Sequence, residues 1–189
     1  CPLRENTPVN ESTQGVRVYR EKVDDCFAYI LELLDEVIEG DPLPLVIENQ
    51  TSELGRFTRP AAYMLKAKVL LFWASPLFNG NTDYNSFRNH EGEPFFNQTQ
   101  EPQRWNVAAE ACKKAIDICE SAGIRLYRTS DYVATKKMSD ETLLVQALRG
   151  SVTDRWNCEL VWGNSSYPVN SGLQGECICY LEQATSLSY

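Results

Sequence analysis

Histidine is almost missing from this chain, with His90 alone among 189 residues. Zinc-type metal centres want paired C-x-x-C cysteines or histidines, and neither is present. The seven cysteines stand at 1, 26, 112, 119, 158, 177 and 179, an odd and widely spaced set unlike a disulfide framework. Cys26, Cys112 and Cys119 occupy apolar positions of expected helices, where a free thiol acts as a small hydrophobe. No metal or cofactor is expected. Basic charge is also short, 18 Lys and Arg against 26 Asp and Glu, giving a net charge of −8. That argues against nucleic acid or an anionic membrane surface as partner. No apolar run reaches the roughly 20 residues a membrane helix needs, and Lys66 and Lys68 interrupt the most apolar one. Alternating strand patterns are scarce as well. The one segment that reads as a strand is Asn157 to Gly163.

What is present is helical. In "YREKVDDCFAYILELLDEVIEG" the residues Val23, Cys26, Phe27, Ile30, Leu33, Leu34, Val37 and Ile38 recur at steps of three and four, which lines one face. Gly40 is the expected left-handed stop, and Pro42 and Pro44 prevent resumption. The opposite face carries Asp25, Glu32, Asp35, Glu36 and Glu39 and reads as solvated. Three of these acids fall in the last turn, where the helix dipole disfavours anions. A second helix opens at Thr58 with Pro60 in its first turn and ends at Ser75-Pro76. It is apolar nearly all round, the pattern of a helix buried on every side. A third, starting near Trp105 and stopping at Gly123, turns Val107, Ala108, Ala111, Cys112, Ala115, Ile116 and Cys119 inward. A shorter one spans Asp140 to Leu148 behind a Ser139 cap.

Alanine-rich helices joined by loops predict an all-α fold of stacked helical hairpins, one domain over residues 1–189. Helix starts near 20, 58 and 105 give no fixed repeat period. Between the second and third helices lies a long loop, residues 79–104, and loops of that length in a compact domain are often functional.

The ordered combination of motifs resembles the SusD/RagB family. "GRFTRPAAYMLKAKVLLFWASPLFNGN" (Gly55 to Asn81) is similar to that family's signature, a G-R-x-T start leading to an Ala-rich helix that ends A-S-P-L-F-N. The helix before it, closing on Leu43-Pro44, resembles the family's preceding helix. "RWNVAAEACKKAIDICESAGIRLY", closed by Tyr127, and "WNCELVWG" resemble the family's two succeeding segments. The resemblance covers about residues 1–163 and implies a tetratricopeptide-like helical fold. It also implies a non-enzymatic, cell-surface oligosaccharide-binding lipoprotein of the bacterial outer membrane. Such a protein would sit on a SusC-like TonB-dependent transporter and serve nutrient uptake from polysaccharides. Members are typically much longer than this chain, so the residues read as a fragment and Cys1 as a residue other than the lipid anchor. Residues 171–189 match nothing in the family pattern.

A pyranose presents an apolar C–H face and a rim of hydroxyls, so its site needs aromatic rings beside amide, carboxylate or guanidinium groups. The 79–104 loop has that make-up. The candidate ligand-binding residues are Asn81, Asp83, Tyr84 and Arg88 there, with Trp156 and Tyr167 from "DRWNCELVWGNSSYPVN". Trp73 reads as core and Trp105 as a staple at a helix entry. Two other functions fit less well. One is a helical scaffold that binds protein only. The other is a glycan hydrolase using Glu91 and Glu93, which lack the rigid support that holds two carboxylates across a sugar.

Overall fold

The computed structural model describes residues 19–40 and 43–163. Its elements are α1 (Val23–Glu39), α2 (Arg59–Ala74), α3 (Gln103–Ser121) and α4 (Asp140–Thr153). The fold is all-α: among the described residues the only extended pairings are two isolated bridges, Asn79 with Asn97 and Arg88 with Pro94. The expected strand at 157–163 is a run of turns instead. It has no neighbouring strand to pair with, and its one ladder-like contact is Arg125 N–H donating to the Cys158 carbonyl at 2.9 Å. Among the described residues no helix is long and apolar enough to cross a membrane.

α2 lies between α1 and α3 and packs most extensively on α3. The cause is composition. Its buried side is Pro60, Ala61, Ala62, Ala67, Leu70 and Ala74, and α3 answers with Ala108, Ala115 and Cys119. Small residues on both helices bring the backbones close. Leu70, Ala74 and Ala108 form the centre of the core, with Leu31, Trp73 and Ala111 against them. Leu31, rather than the expected Ile30 and Leu33, is the α1 residue that reaches this core, and those two stand 42% and 44% exposed.

Two helix ends obey different rules. α3 stops in a Schellman motif: Gly123 takes φ +80°, its N–H donates to the Glu120 carbonyl, and Ile124 N–H donates to that of Cys119. Gly40 does not adopt the expected left-handed turn. It stays right-handed at φ −66°, its N–H donating to the Glu36 carbonyl. Ser75 is extended, as a residue before proline should be. The Ser139 hydroxyl accepts from Thr142 N–H at 3.3 Å, and α4 runs on past Leu148 to Thr153. α3 opens at Gln103, two residues before Trp105.

The acidic last turn of α1 is compensated from outside, because Lys66 of α2 donates to Asp35. The strongest tie between helices, however, is Arg104, which is 4% exposed. Its guanidinium donates to both Asp24 oxygens at 3.0 and 2.8 Å and to Glu101 at 3.0 Å. It also lies 4.1 Å over the Trp73 ring, while Trp73 Nε1 donates to Asp24 at 2.8 Å. One buried cation thus joins α1, α2 and α3. Burial pushes the Asp24 carboxyl up, but the bonds from Arg104 and Trp73 outweigh it and hold the group below its ordinary value.

α2 is not covered all round by the described residues. Met64, Leu65, Leu71 and Phe72 are 40–52% exposed. Val107 and Ile116 of α3, expected on the buried face, are 39% and 54% exposed. The reason is geometric: α1 and α3 flank two sides of α2, and no described helix occupies the third.

Candidate functional site

The 79–104 segment is built rather than loose. Asn79 is buried; its amide donates to the Glu101 carbonyl at 3.0 Å and its oxygen accepts from Glu101 N–H at 2.7 Å. The two ends of the segment are therefore stitched together at the end of α2. Gly80, at φ +78°, passes so close to Gln100 that a Cβ would lie 2.9 Å from its backbone. Within the segment Phe95 N–H donates to Phe87 and Asn89 N–H to Glu93.

That construction occupies most of the expected sugar-binding groups. The Asn81 amide donates to the Leu77 carbonyl at 3.0 Å, and its oxygen accepts from Asp83 N–H at 2.9 Å. Arg88 donates to the Gly92 carbonyl at 2.8 Å and to Asn85 at 2.9 Å. Asp83 is exposed. Tyr84 ends a ladder of rings: it stacks on Phe96 at 5.0 Å, Phe96 stacks on Phe78 at 6.1 Å, and Phe78 meets Phe27 of α1 edge-on at 5.0 Å. One ring face is spent on packing, and the residue remains 46% exposed. Glu93 is paired with Lys22 at 2.9 Å, and His90 stacks on Tyr19 at 4.0 Å.

Trp156 lies elsewhere. It lines a cleft of about 270 Å³ between the irregular segments 45–58 and 156–163, with Val46, Gln50, Arg56, Leu160 and Trp162 among its walls. None of Asn81, Asp83, Tyr84 and Arg88 lines it. Tyr167 falls outside the described residues. The volume falls just short of the usual small-ligand range, which runs from about 300 Å³ upward.

Both tryptophans are held in place. Trp156 adopts φ +52°, the one described non-glycine residue with a positive φ, a conformation that persists only where the surroundings impose it. The surroundings are visible. The Asn157 amide donates to the carbonyls of Ser151 and Asp154, both at 2.9 Å. Tyr127 Oη donates to Asp154 at 2.5 Å, and Tyr127 N–H donates to Glu159 at 3.1 Å. The Asp154 bond pushes the Tyr127 phenol up to about 12. Alongside, Arg125 pairs twice with Asp131 at 2.7 and 2.8 Å, which together with the Arg128 N–H holds that carboxyl well below the carboxylate range. On the other wall Trp162 Nε1 donates to the Gly55 carbonyl at 2.9 Å and its ring meets Phe57 edge-on at 5.4 Å.

Arg56 and Gln50 are polar groups beside these rings, and Thr58 and Asn157 also line the cleft. Arg56 spends one nitrogen on Glu53 at 2.8 Å and is otherwise solvent-facing. The sequence offered little to find them. Segment 43–58 has no periodicity: Arg56 is legible only as part of the G-R-x-T start, and Gln50 follows Asn49, whose side chain accepts from Thr51 and Ser52 N–H in a turn.

No protein-family model matches the chain, and no curated protein does either. Among solved structures it is similar to one named BT4246, at 28% identity and a TM-score of 0.69, over 88% of this chain and 31% of that one. A structure of selenomethionine BT4246 matches at 27% identity and a TM-score of 0.68, over 88% and 30%. The present chain therefore spans about a third of the length of these neighbours, and shares with them its helical fold.

Proposed function

We infer that this chain belongs to a non-enzymatic oligosaccharide-binding protein of the SusD/RagB type. It captures glycan at the outer-membrane surface and passes it to a SusC-like TonB-dependent transporter. The ordered signature from Gly55 to Asn81 supports the family reading. The observation that carries the binding reading is the cleft between Trp156 and Trp162. Two indoles, one fixed by a positive-φ turn and one pinned through its N–H, offer flat apolar faces of the kind a sugar ring stacks on. Gln50 and Arg56 stand beside them for hydroxyls. Rings that are already ordered lose little freedom on binding, which favours affinity.

Affinity electrophoresis tests this reading in gels cast with starch, xylan, mannan or pectin. Retardation in one of them, lost in Trp156→Ala and retained in Tyr84→Ala, supports a site at the cleft. The reverse pattern moves the site to the 79–104 segment. Retardation in none of the four overturns glycan binding by this chain. The last outcome would favour the second reading, a protein-binding scaffold, for which the exposed apolar side of α2 speaks.

A further inference from the structure

The tryptophan cleft carries charge of one sign. Arg56 is the one ionised residue in its lining, and no aspartate or glutamate joins it there, although the chain as a whole is acidic at −8. Glu53, which is outside the lining, takes one guanidinium nitrogen at 2.8 Å. The rest of the guanidinium bonds nothing else among the described residues. Thr58, two residues on, lines the same space, while Phe57 between them turns the other way into an apolar groove beside α2. That alternation is what extended chain produces, and Thr58 is extended at φ −120° and ψ 167°. Thr58 is 8% exposed, yet among the described residues its hydroxyl has no hydrogen-bond partner. The cause is local. A threonine before a helix accepts from the second or third helical N–H; here the second position is Pro60, which has none, and the bond from the third is not made. The hydroxyl is not sealed in, and the open space against Thr58 is the cleft.

We propose that this cleft takes an acidic sugar, a pyranose bearing a carboxylate or a sulfate, with the anionic group on Arg56 and Thr58 and the ring against Trp156 or Trp162. The inference rests on the glycan reading and narrows its ligand class. A guanidinium meets two oxygens of such a group in one plane, and a charge-assisted pair is stronger than a bond to a neutral hydroxyl. The Thr58 hydroxyl donates to a third oxygen or to a neighbouring one on the ring. Helix ends do not set the sign of the site. The cap residues Thr58 of α2 and Ala122 of α3 both line the cleft, so the two dipoles bring opposite poles to it. Arg56 sets it.

Tryptophan-fluorescence titrations of the full chain test it with three probes: trigalacturonate for the carboxylate, a carrageenan tetrasaccharide for the sulfate, and neutral galactotriose for comparison. At low salt one of the two acidic probes should bind about tenfold more tightly than galactotriose, the gain expected of a charge-assisted pair over a neutral bond. Which acidic probe wins identifies the anion. Raising the salt should shrink the difference. Arg56→Gln should abolish the preference without altering the helical spectrum, because the one side-chain bond it loses is exposed. Thr58→Val keeps the shape, removes the hydroxyl, and should weaken the acidic probe more than the neutral one. Equal affinity for acidic and neutral probes overturns the inference and leaves the glycan reading in place. So does a preference that survives Arg56→Gln. Failure of all three probes alongside retardation in a starch, xylan or mannan gel overturns the inference alone, whereas failure in both assays overturns the glycan reading with it.

Discussion

Replacing Arg104 with lysine keeps the charge and removes the fork, and the structure says what that should cost. The guanidinium bonds both Asp24 oxygens and lies flat on Trp73. An ammonium group is a point charge that can hold one of those oxygens and cannot stack as a plane. The loss is one charge-assisted bond, worth about 1.5–3 kcal/mol, and part of a partly desolvated cation–ring contact of about 0.5–2 kcal/mol. Glu101 stands at the solvent side and adds little. Local relaxation recovers some of this, leaving a destabilisation of about 2–4 kcal/mol. For a domain of this size that lowers the melting temperature by roughly 4–16 °C. The assay is thermal unfolding monitored by far-ultraviolet circular dichroism. Arg125→Lys serves as the control, because it breaks a similar two-bond fork to Asp131 at an arginine that stands exposed rather than buried, where screening by solvent makes the loss smaller. If Arg104→Lys melts within the error of the wild type, or no lower than Arg125→Lys, the buried cation is not what ties the three helices.

The same contacts have other consequences. Asp24 is held below its ordinary value, so its stabilisation is fully present above that value and is lost as pH falls through the folded one. The melting temperature should therefore drop on acidification below about pH 4, with a smaller acid-induced drop in Asp24→Asn. Gly80→Ala should destabilise the fold, since the residue combines φ +78° with a 2.9 Å approach to Gln100; an unchanged denaturant midpoint would contradict it. Cys119 is 8% exposed and its thiol is pushed up by burial, so it should react with thiol reagents only on unfolding. Tyr84→Ala gives up one face-to-face contact with Phe96 and should cost about 0.5–1.5 kcal/mol, measurable as a small shift in urea midpoint.

The all-α class and the four helices were legible because alanine spacing, proline and serine breaks act locally and need no knowledge of partners. The end of α3 at Gly123 is of that kind. Gly40 shows the limit: a glycine permits a left-handed turn without requiring one. Which apolar residues face inward was harder to read. Ile30, Leu33, Val107 and Ile116 satisfy the helical period, yet the period does not say how wide a stripe the neighbours cover. Arg104 and Asp24 could not be paired from sequence, because 80 residues separate them and a lone arginine beside a helix start looks like any solvated charge. The candidate site was half legible. Composition pointed to aromatics with amides in residues 79–104, but composition does not reveal that Asn81 and Arg88 spend their donors on the backbone carbonyls of Leu77 and Gly92 and on Asn85. Trp156 was legible as an aromatic in a polar setting, whereas Gln50 and Arg56 join it only through the fold.

The most direct measurement of the central claim uses the four tryptophans, 73, 105, 156 and 162, whose indole N–H signals can be resolved by nitrogen-15 NMR and assigned by single Trp→Phe variants. Trp73 is committed to Asp24 against the core, and Trp105 is not among the residues that line the cleft. Titration with an oligosaccharide cut from the polysaccharide that retards the protein should move the signals of Trp156 and Trp162 and leave those of Trp73 and Trp105 in place. Saturable shifts confined to Trp73 or Trp105, or binding that moves none of the four, would contradict a sugar site between Trp156 and Trp162.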